Sequence, residues 1–455
     1  MVIFSIIQKS QLEGVRRLDA EYYQPEYLDV EKKLNTIKTE HLEDLAESIL
    51  SFGAYSLTSN IEWEDSGIPY LNVGDIHDGH IDYSSAKHIS EKVDRILQKS
   101  QIKEGEVVLT MAGTIGNAAV VHNINTNHIN GNQAIAKIRP NKNFSPYYLV
   151  VFLNSRYGQL QTWREIVSSV QANIFLGQIK KFKVPIFNNK ITKSIESLYL
   201  DFLNELENSK SLYSQAEQVL LEELGLQDFS VEDGLWSVVK FADIREAERM
   251  DAEYFEPRYE KLFKAIKKHN PQTLGELASM KKGVEPGSEA YTEEGKQFIR
   301  VSSISKEGIG GRDQKFLSDE MYQDLKKDFE PKIGEILLTK DASIGIACVV
   351  QEKVEGIISG GILRLYPKAD IDAEYLALCL NSIVGQYQAE RDAGGSIIKH
   401  WKPSEIKKVL IPILPKPTQQ KIAELVRQSH EARKEAKELL EKAKRKVEEL
   451  IELRL

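Results

Sequence analysis

Cysteine is almost missing from this chain: only Cys348 and Cys379 occur in 455 residues. That excludes a disulfide scaffold and a cysteine-rich zinc module, and it fits a reducing compartment. No apolar run approaches the roughly 20 residues of a membrane span. The opening run Met1 to Ile7 is shorter than a secretory core and has no small-residue cleavage site behind it. A cytoplasmic protein without a membrane partner is therefore expected. Reactive motifs are equally scarce. The only Gly-Lys pair, Gly295-Lys296, is followed by Gln297, so there is no phosphate-binding loop. No Pro-Pro pair supplies the Asn/Asp-Pro-Pro-aromatic loop of an amino-methyltransferase, and no Pro-Asp pair opens a nuclease-type carboxylate cluster. His122 and His128 share an Asn-rich turn with no third ligand. No catalytic residue and no metal ligand are assigned, and no enzyme is expected.

What remains is an ordinary soluble composition, 41% hydrophobic and 28% charged, with a net charge of -8. An acidic balance argues at first sight against a nucleic-acid partner. The deficit is local, however. Residues 187–235 carry 3 basic and 10 acidic side chains, whereas 1–186 carry 19 and 21 and 236–416 carry 28 and 29. Residues 417–455 are slightly basic, with 10 and 8.

The most informative feature is that the chain is written twice. Arg17-Leu18-Asp19-Ala20-Glu21-Tyr22-Tyr23 returns as Arg249-Met250-Asp251-Ala252-Glu253-Tyr254-Phe255, at an offset of 249 − 17 = 232. Gly105-Glu106-Val107-Val108-Leu109-Thr110 returns as Gly334-Glu335-Ile336-Leu337-Leu338-Thr339, and Ile115-Gly116 as Ile344-Gly345. Leu153-Asn154-Ser155 returns as Leu380-Asn381-Ser382, Gly158-Gln159 as Gly385-Gln386, and Pro185-Ile186 as Pro412-Ile413, at 412 − 185 = 227. So slow a drift means small indels within one shared fold. A repeat this long is a duplicated domain and not a solenoid.

Each copy begins with β-type runs, including Val107 to Thr110, Ala118 to Val121, Ile135 to Ile138 and their counterparts, punctuated by Gly, Asn and Asp. A helix is expected at Pro146 to Trp163 and again at Ala373 to Gln388. Each copy ends in a narrow apolar stripe with steps of three and four: Leu198, Phe202, Leu206, Ser209, Tyr213, Ala216, Leu220 and Leu224 before Gly225, then Ile422, Leu425, Ser429, Ala432, Ala436, Leu439, Ala443, Val447 and Leu450. The expected class is α+β: two homologous globular α/β domains, 1–186 and 236–416, separated by two long antiparallel coiled-coil helices, 187–226 and 417–455, with pseudo-twofold symmetry and a linker at 227–235. The alternative is that each helix packs on its own domain. Gly113-Thr114-Ile115-Gly116 reads as a tight strand-to-strand turn, because its copy is Ala342-Ser343-Ile344-Gly345.

In this order, and duplicated, these motifs resemble the DNA-specificity (S) subunit of type I restriction-modification systems. Gly67-Ile68-Pro69-Tyr70-Leu71, the Asn132-Gln133 pair and the polar loop Ser168 to Ile174 add to the resemblance. It implies two target-recognition domains, each reading one half of a bipartite double-stranded DNA site, with the helix pair setting the spacer. It also implies docking of two modification (methyltransferase) subunits and, through them, restriction (translocase/nuclease) subunits. S-adenosylmethionine, ATP and Mg would belong to those partners, leaving no cofactor in this chain.

Base readout needs Arg, Lys, Asn and Gln on loops that enter the major groove. The candidates are Tyr55, Thr58, Asn60, Asn117, Gln171 and Asn173 in the first domain, and Lys281, Lys282, Arg312, Lys340, Lys399 and His400 in the second. Lys180 and Lys181, with Lys183, Lys407 and Lys408, are candidates for phosphate contacts, against the competing reading that they cap the domain-to-helix junction. Trp163, Trp401 and the tyrosines of the opening motif are assigned to the core. The rival readings are a coiled-coil scaffold whose two domains bind protein, and a nuclease or methyltransferase acting alone.

Overall fold

The computed structural model describes residues 4–8, 17–51, 61–166, 172–227, 229, 238–310, 314–368, 370–393 and 399–453. Two compact units divide the chain: Met1–Leu206 with Arg433–Leu455, and Glu207–Ala432. Each unit therefore contains one globular domain and one half of each long helix.

In the first unit, strands β1 (Ala46–Leu50), β2 (Ile68–Leu71), β3 (Lys87–Ile89), β4 (Val107–Thr110), β5 (Ala118–Val120), β6 (Asn130–Gly131) and β7 (Ile135–Pro140) form two sheets. The larger has the order β1-β7-β4-β5 and is antiparallel throughout; the smaller has the order β3-β2-β6, its β2–β6 pair being parallel. Every residue of β4 is buried, as a central strand covered on both faces must be. Its alternation sorts the core. Val107 and Leu109 join the cluster on the helical side, and Val108 joins a separate one with Leu71, Ile76 and Ile81.

Behind the larger sheet the sequence leads one to expect a single helix, but there are two, α1 (Pro146–Asn154) and α2 (Arg156–Glu165). Ser155 is extended (φ -68°, ψ 164°), which ends α1. Gly158 then lets α2 fold back, for a Cβ there would stand 2.3 Å from the Phe152 carbonyl oxygen. The long helix α3 (Asn189–Leu224) follows and ends at Gly225, in the left-handed region at φ +64°.

The second unit repeats this plan. Strands β8 (Ala278–Lys282), β9 (Lys296–Ile299), β10 (Lys315–Leu317), β11 (Ile336–Thr339), β12 (Ala347–Val349), β13 (Gly356–Ile358) and β14 (Ile362–Pro367) give sheets of order β8-β14-β11-β12 and β10-β9-β13. Helices α4 (Ala373–Asn381) and α5 (Ile383–Asp392) break at Ser382 as α1 and α2 break at Ser155, and the last helix is α6 (Lys416–Glu452). Both cysteines are buried in this core, where burial pushes each thiol up to about 12, so they act as small apolar side chains.

The duplicated motifs turn out to be a hydrogen-bonded frame. Asn154 donates to the Ala118 carbonyl at 2.7 Å and accepts its N–H at 3.1 Å, and Asn381 does the same to Ala347 at 2.8 and 2.9 Å. Gln159 donates to the Gly116 and Leu153 carbonyls at 2.7 and 2.9 Å; Gln386 repeats this on Gly345 and Leu380 at 2.7 and 2.9 Å. Tyr148 and Tyr375 each donate at 2.8 Å to the carbonyl of the exit proline, Pro185 or Pro412. Glu106 and Glu335 accept from the Lys103 and Lys332 backbone, both at 2.9 Å, while taking an arginine each, Arg139 or the buried Arg364.

The two long helices run antiparallel, since Ser194 meets Lys446 within the first unit and Ser209 meets Ser429 within the second. The buried stripe is broader than the expected coiled-coil seam. Tyr199 on α3, and Ala423, Val426, Leu440 and Ile451 on α6, are buried beside the expected positions. The cause is that each half-pair also packs on a globular core, so both packing readings hold at once. In the first unit the turn at Asp78-Gly79 sits on the helices: Tyr199 donates to the Gly79 carbonyl at 2.6 Å, and Lys444 pairs with Asp78 at 2.9 Å. In the second, Lys306 lies 5.0 Å over the Tyr213 ring.

Leu440 lies in the last helix yet belongs to the first core. Leu440→Ala should cost about 2–5 kcal/mol and, in hydrogen exchange, weaken protection of Val107–Thr110 while leaving Ile336–Thr339 as it was. Equal loss in both strands would contradict the division.

Candidate nucleic-acid interface

Beyond the ends of β4 and β11 the two copies build the same feature. The chain turns through Gly113 (φ +67°) or Ala342 (φ +59°) into β5 or β12, which makes this segment the tight turn expected from the sequence. A later segment lies alongside the start of the turn, through the antiparallel bridges Ala112 to Asn173 and Asp341 to His400. In the second copy Ala342 N–H donates to Lys399 at 3.0 Å and Trp401 N–H donates to Lys340 at 2.8 Å. Those bonds flank Asp341 and His400, which makes them a non-hydrogen-bonded pair, the kind whose side chains stand closest.

Each of these later segments follows a clasped helix end. Arg17 holds Asp19 at 2.8 Å and reaches the Glu165 and Ile166 carbonyls at 3.2 and 3.3 Å; Arg249 holds Asp251 at 2.8 Å and reaches Arg391 and Asp392 at 3.4 and 3.1 Å. The duplicated Arg-x-Asp thus closes the C-terminal carbonyls of α2 and α5, the groups a helix leaves unpaired. Tyr22 and Tyr23 are buried as expected. Trp163 is not: it is 50% exposed, because α2 turns this face away from the sheet, whereas Trp401 is 1% exposed.

The candidate residues separate accordingly. Tyr55, Thr58, Asn60, Gln171 and Arg312 lie outside the described residues. Asn117 is buried and donates to the Ile76 carbonyl at 2.8 Å, so it ties the turn to the segment around Ile76 and is not exposed to a groove. Asn173 and the pair Lys399 and His400 occupy equivalent places at the bridge. Lys340 is beside them but largely buried, its ammonium 2.5 Å from Asp341. Lys281 and Lys282 end the edge strand β8; Lys281 pairs with Asp328 at 2.6 Å and Lys282 is exposed. Lys180 and Lys181 lie at the far junction, where their carbonyls accept from Glu43 and His41. Lys183 donates to Asn35 at 2.6 Å, while Lys407 and Lys408 are exposed.

Sequence reasoning passed over Asp341, which links two of the candidates: His400 Nδ1 lies 2.8 Å from one carboxylate oxygen and Lys340 from the other. The available signal was the contrast between Asp341 and Ala112 at one position of an otherwise shared turn. Burial works to raise the Asp341 pKa, but the hydrogen bonds from Lys340 and His400 outweigh it and hold the carboxyl below its ordinary 3.8. Among the described residues there is no group of three or more potential metal ligands, and no helix is long and apolar enough to cross a membrane.

Comparison with known proteins gives consistent matches. A family model described as the type I restriction modification DNA specificity domain matches residues 35–218 and again 267–443. The type I restriction enzyme EcoBI specificity subunit of Escherichia coli is 29% identical over 141 residues, which span 29% of this chain and 29% of that protein. Among solved structures, a type I restriction-modification S subunit from M. genitalium aligns over 92% of this chain and 93% of its own, with 15% identity and a TM-score of 0.36. The HsdS subunit from Thermoanaerobacter tengcongensis aligns over 92% and 97%, with 13% identity and a TM-score of 0.30.

Because the Asp341 pKa is depressed in the folded chain, its ionised form contributes stability that is fully present above 3.8 and is lost as pH falls through the folded value. Asp341→Asn should therefore lower the melting temperature near neutral pH and converge with the native chain in acid. A gap that stays constant with pH would refute the role assigned to the carboxylate.

Proposed function

The chain belongs to the family of type I restriction-modification DNA specificity domains, matched once on each of its copies, and on that premise we propose that it is the sequence-reading subunit of such a complex. Residues 1–186 and 236–416 are the target-recognition domains. Each reads one short half of a bipartite double-stranded site, and α3 and α6 set the unread spacer between the halves. The double family match is the observation that carries this reading. Support comes from the polar edge built twice on one frame, with different side chains in each copy. Two readers of one architecture but different surface chemistry suit two different half-sites.

The chain itself is non-catalytic in this reading. Two modification subunits supply S-adenosylmethionine and the methyl transfer, and restriction subunits supply ATP- and Mg-dependent cleavage. Lys180, Lys181, Lys407 and Lys408 provide phosphate contacts, which fix position without carrying sequence information. Such a complex works in the cytoplasm. The test is direct. Expressed with its modification subunits, the chain should direct methylation to one split sequence, and exchanging residues 1–186 for another domain of the family should change one half only. Change in both halves, or in neither, would refute modular reading.

The spacer can be tested separately. Helices of 36 and 37 residues extend about 55 Å at 1.5 Å per residue. Removing seven residues from each should shorten the spacer and leave both half-sites intact; methylome sequencing reads both outcomes, and an unaltered spacer would sink the ruler.

A further inference from the structure

The two copies form an internal comparison. The frame that holds the turn is the same in both, with Asn154 and Asn381, Gln159 and Gln386, and Arg17 and Arg249 making the same bonds. The bridge beside it is not. One copy pairs Ala112 with Asn173 and the other pairs Asp341 with His400. A shared frame with one divergent, solvent-facing pair is where two otherwise equal readers can acquire different preferences.

The chemistry of the second pair is specific. An ionised carboxylate can only accept hydrogen bonds. The 2.8 Å contact between Asp341 Oδ1 and His400 Nδ1 therefore places the imidazole proton on Nδ1. In a neutral ring this leaves Nε2 as a bare acceptor. The other Asp341 oxygen is held by Lys340, so the carboxylate cannot swing away without abandoning a buried ammonium. Position agrees with chemistry. Trp401 points into the core at 1% exposure, and its neighbour His400, on the opposite side of the extended segment, is 64% exposed at its side chain.

We propose that His400, its tautomer fixed by Asp341, is a specificity-determining residue of the second domain and reads a base that offers an amine in the major groove, adenine through N6 or cytosine through N4. This rests on the DNA-reading function proposed above and assigns it a residue, a tautomer and a base class. Guanine and thymine present acceptors at the matching positions and leave Nε2 facing a lone pair. Asp341 is the positioning residue: it touches no base and acts through the ring.

The experiment uses the full chain with its modification subunits and reads the methylated motif by sequencing and binding by competition between duplexes differing at single base pairs. His400→Ala, a change at an exposed side chain, should relax one position of one half-site, lowering discrimination there roughly tenfold or more, with the other half unchanged. Asp341→Asn can donate to Nδ1 and so permits the tautomer that carries its proton on Nε2. It should move preference at that same position from adenine or cytosine toward guanine or thymine, a shift that a merely structural role would not produce. An unaltered motif in His400→Ala, or relaxation in both halves, overturns the inference. Failure of the native complex to mark any bipartite sequence would instead overturn the specificity function on which it rests.

Discussion

The structure depends on one constraint: two helices of 36 and 37 residues carry apolar stripes that neither can bury alone. The solution divides each helix between two cores. The first core takes Ile195, Tyr199 and Phe202 from α3 together with Leu440, Ala443, Val447 and Ile451 from α6, and closes them over β4 and α1. The second takes Ala216, Leu220 and Leu224 with Ile422, Ala423 and Val426. Neither domain is complete with its own stretch of sequence, because part of its core arrives from the other copy's helix. The helices are consequently more than spacers. They are structural members of both domains, tied to the first through contacts such as Tyr199 on Gly79 and Lys444 on Asp78.

On that base the duplicated motifs do a single kind of work. Asn154, Gln159 and Arg17, with Asn381, Gln386 and Arg249, spend their donors on backbone carbonyls at a strand, a turn and a helix end. Leaving such carbonyls unpaired in a largely buried setting costs about 1–3 kcal/mol each. These positions are therefore under strong energetic constraint. Variation falls on side chains that the frame presents but does not use, such as those at 112 and 173 or 341 and 400. Sequence identity between the copies thus marks the support, and sequence difference falls on the side chains that the support presents.

Much of this was legible in the sequence because it depends on local pattern. The repeat, the buried strands Val107–Thr110 and Ile336–Thr339, the stop at Gly225 and the antiparallel helix pair follow from periodicity and turn chemistry. The rest depends on what lies across space. The helix break at Ser155 rests on a single glycine, Gly158, whose close approach to the Phe152 carbonyl shows only once the chain has folded back. Asn117 reads as a loop amide until Ile76, from a distant part of the chain, arrives to accept its proton. Trp163 reads as core by its size and is exposed because α2 folds back. Asp341 is an ordinary acid in sequence and becomes informative only when the bridge sets His400 beside it.

The electrostatics of the candidate edge give the acidic composition its meaning. Two of the candidate cations of the second domain are engaged already, Lys340 with Asp341 and Lys281 with Asp328, as is the buried Arg364 with Glu335. A lysine bound to a carboxylate adds little to the long-range field that draws in a polyanion, and it must surrender that partner before it neutralises a phosphate. Nearly neutral domains with part of their basic charge internally matched suit discrimination at short range better than affinity at long range. On the proposed function, such a domain shares its grip on the backbone between its exposed lysines and its partner subunits. It also keeps its own contribution where sequence information lies, because hydrogen bonds to base edges distinguish sequences and phosphate contacts do not.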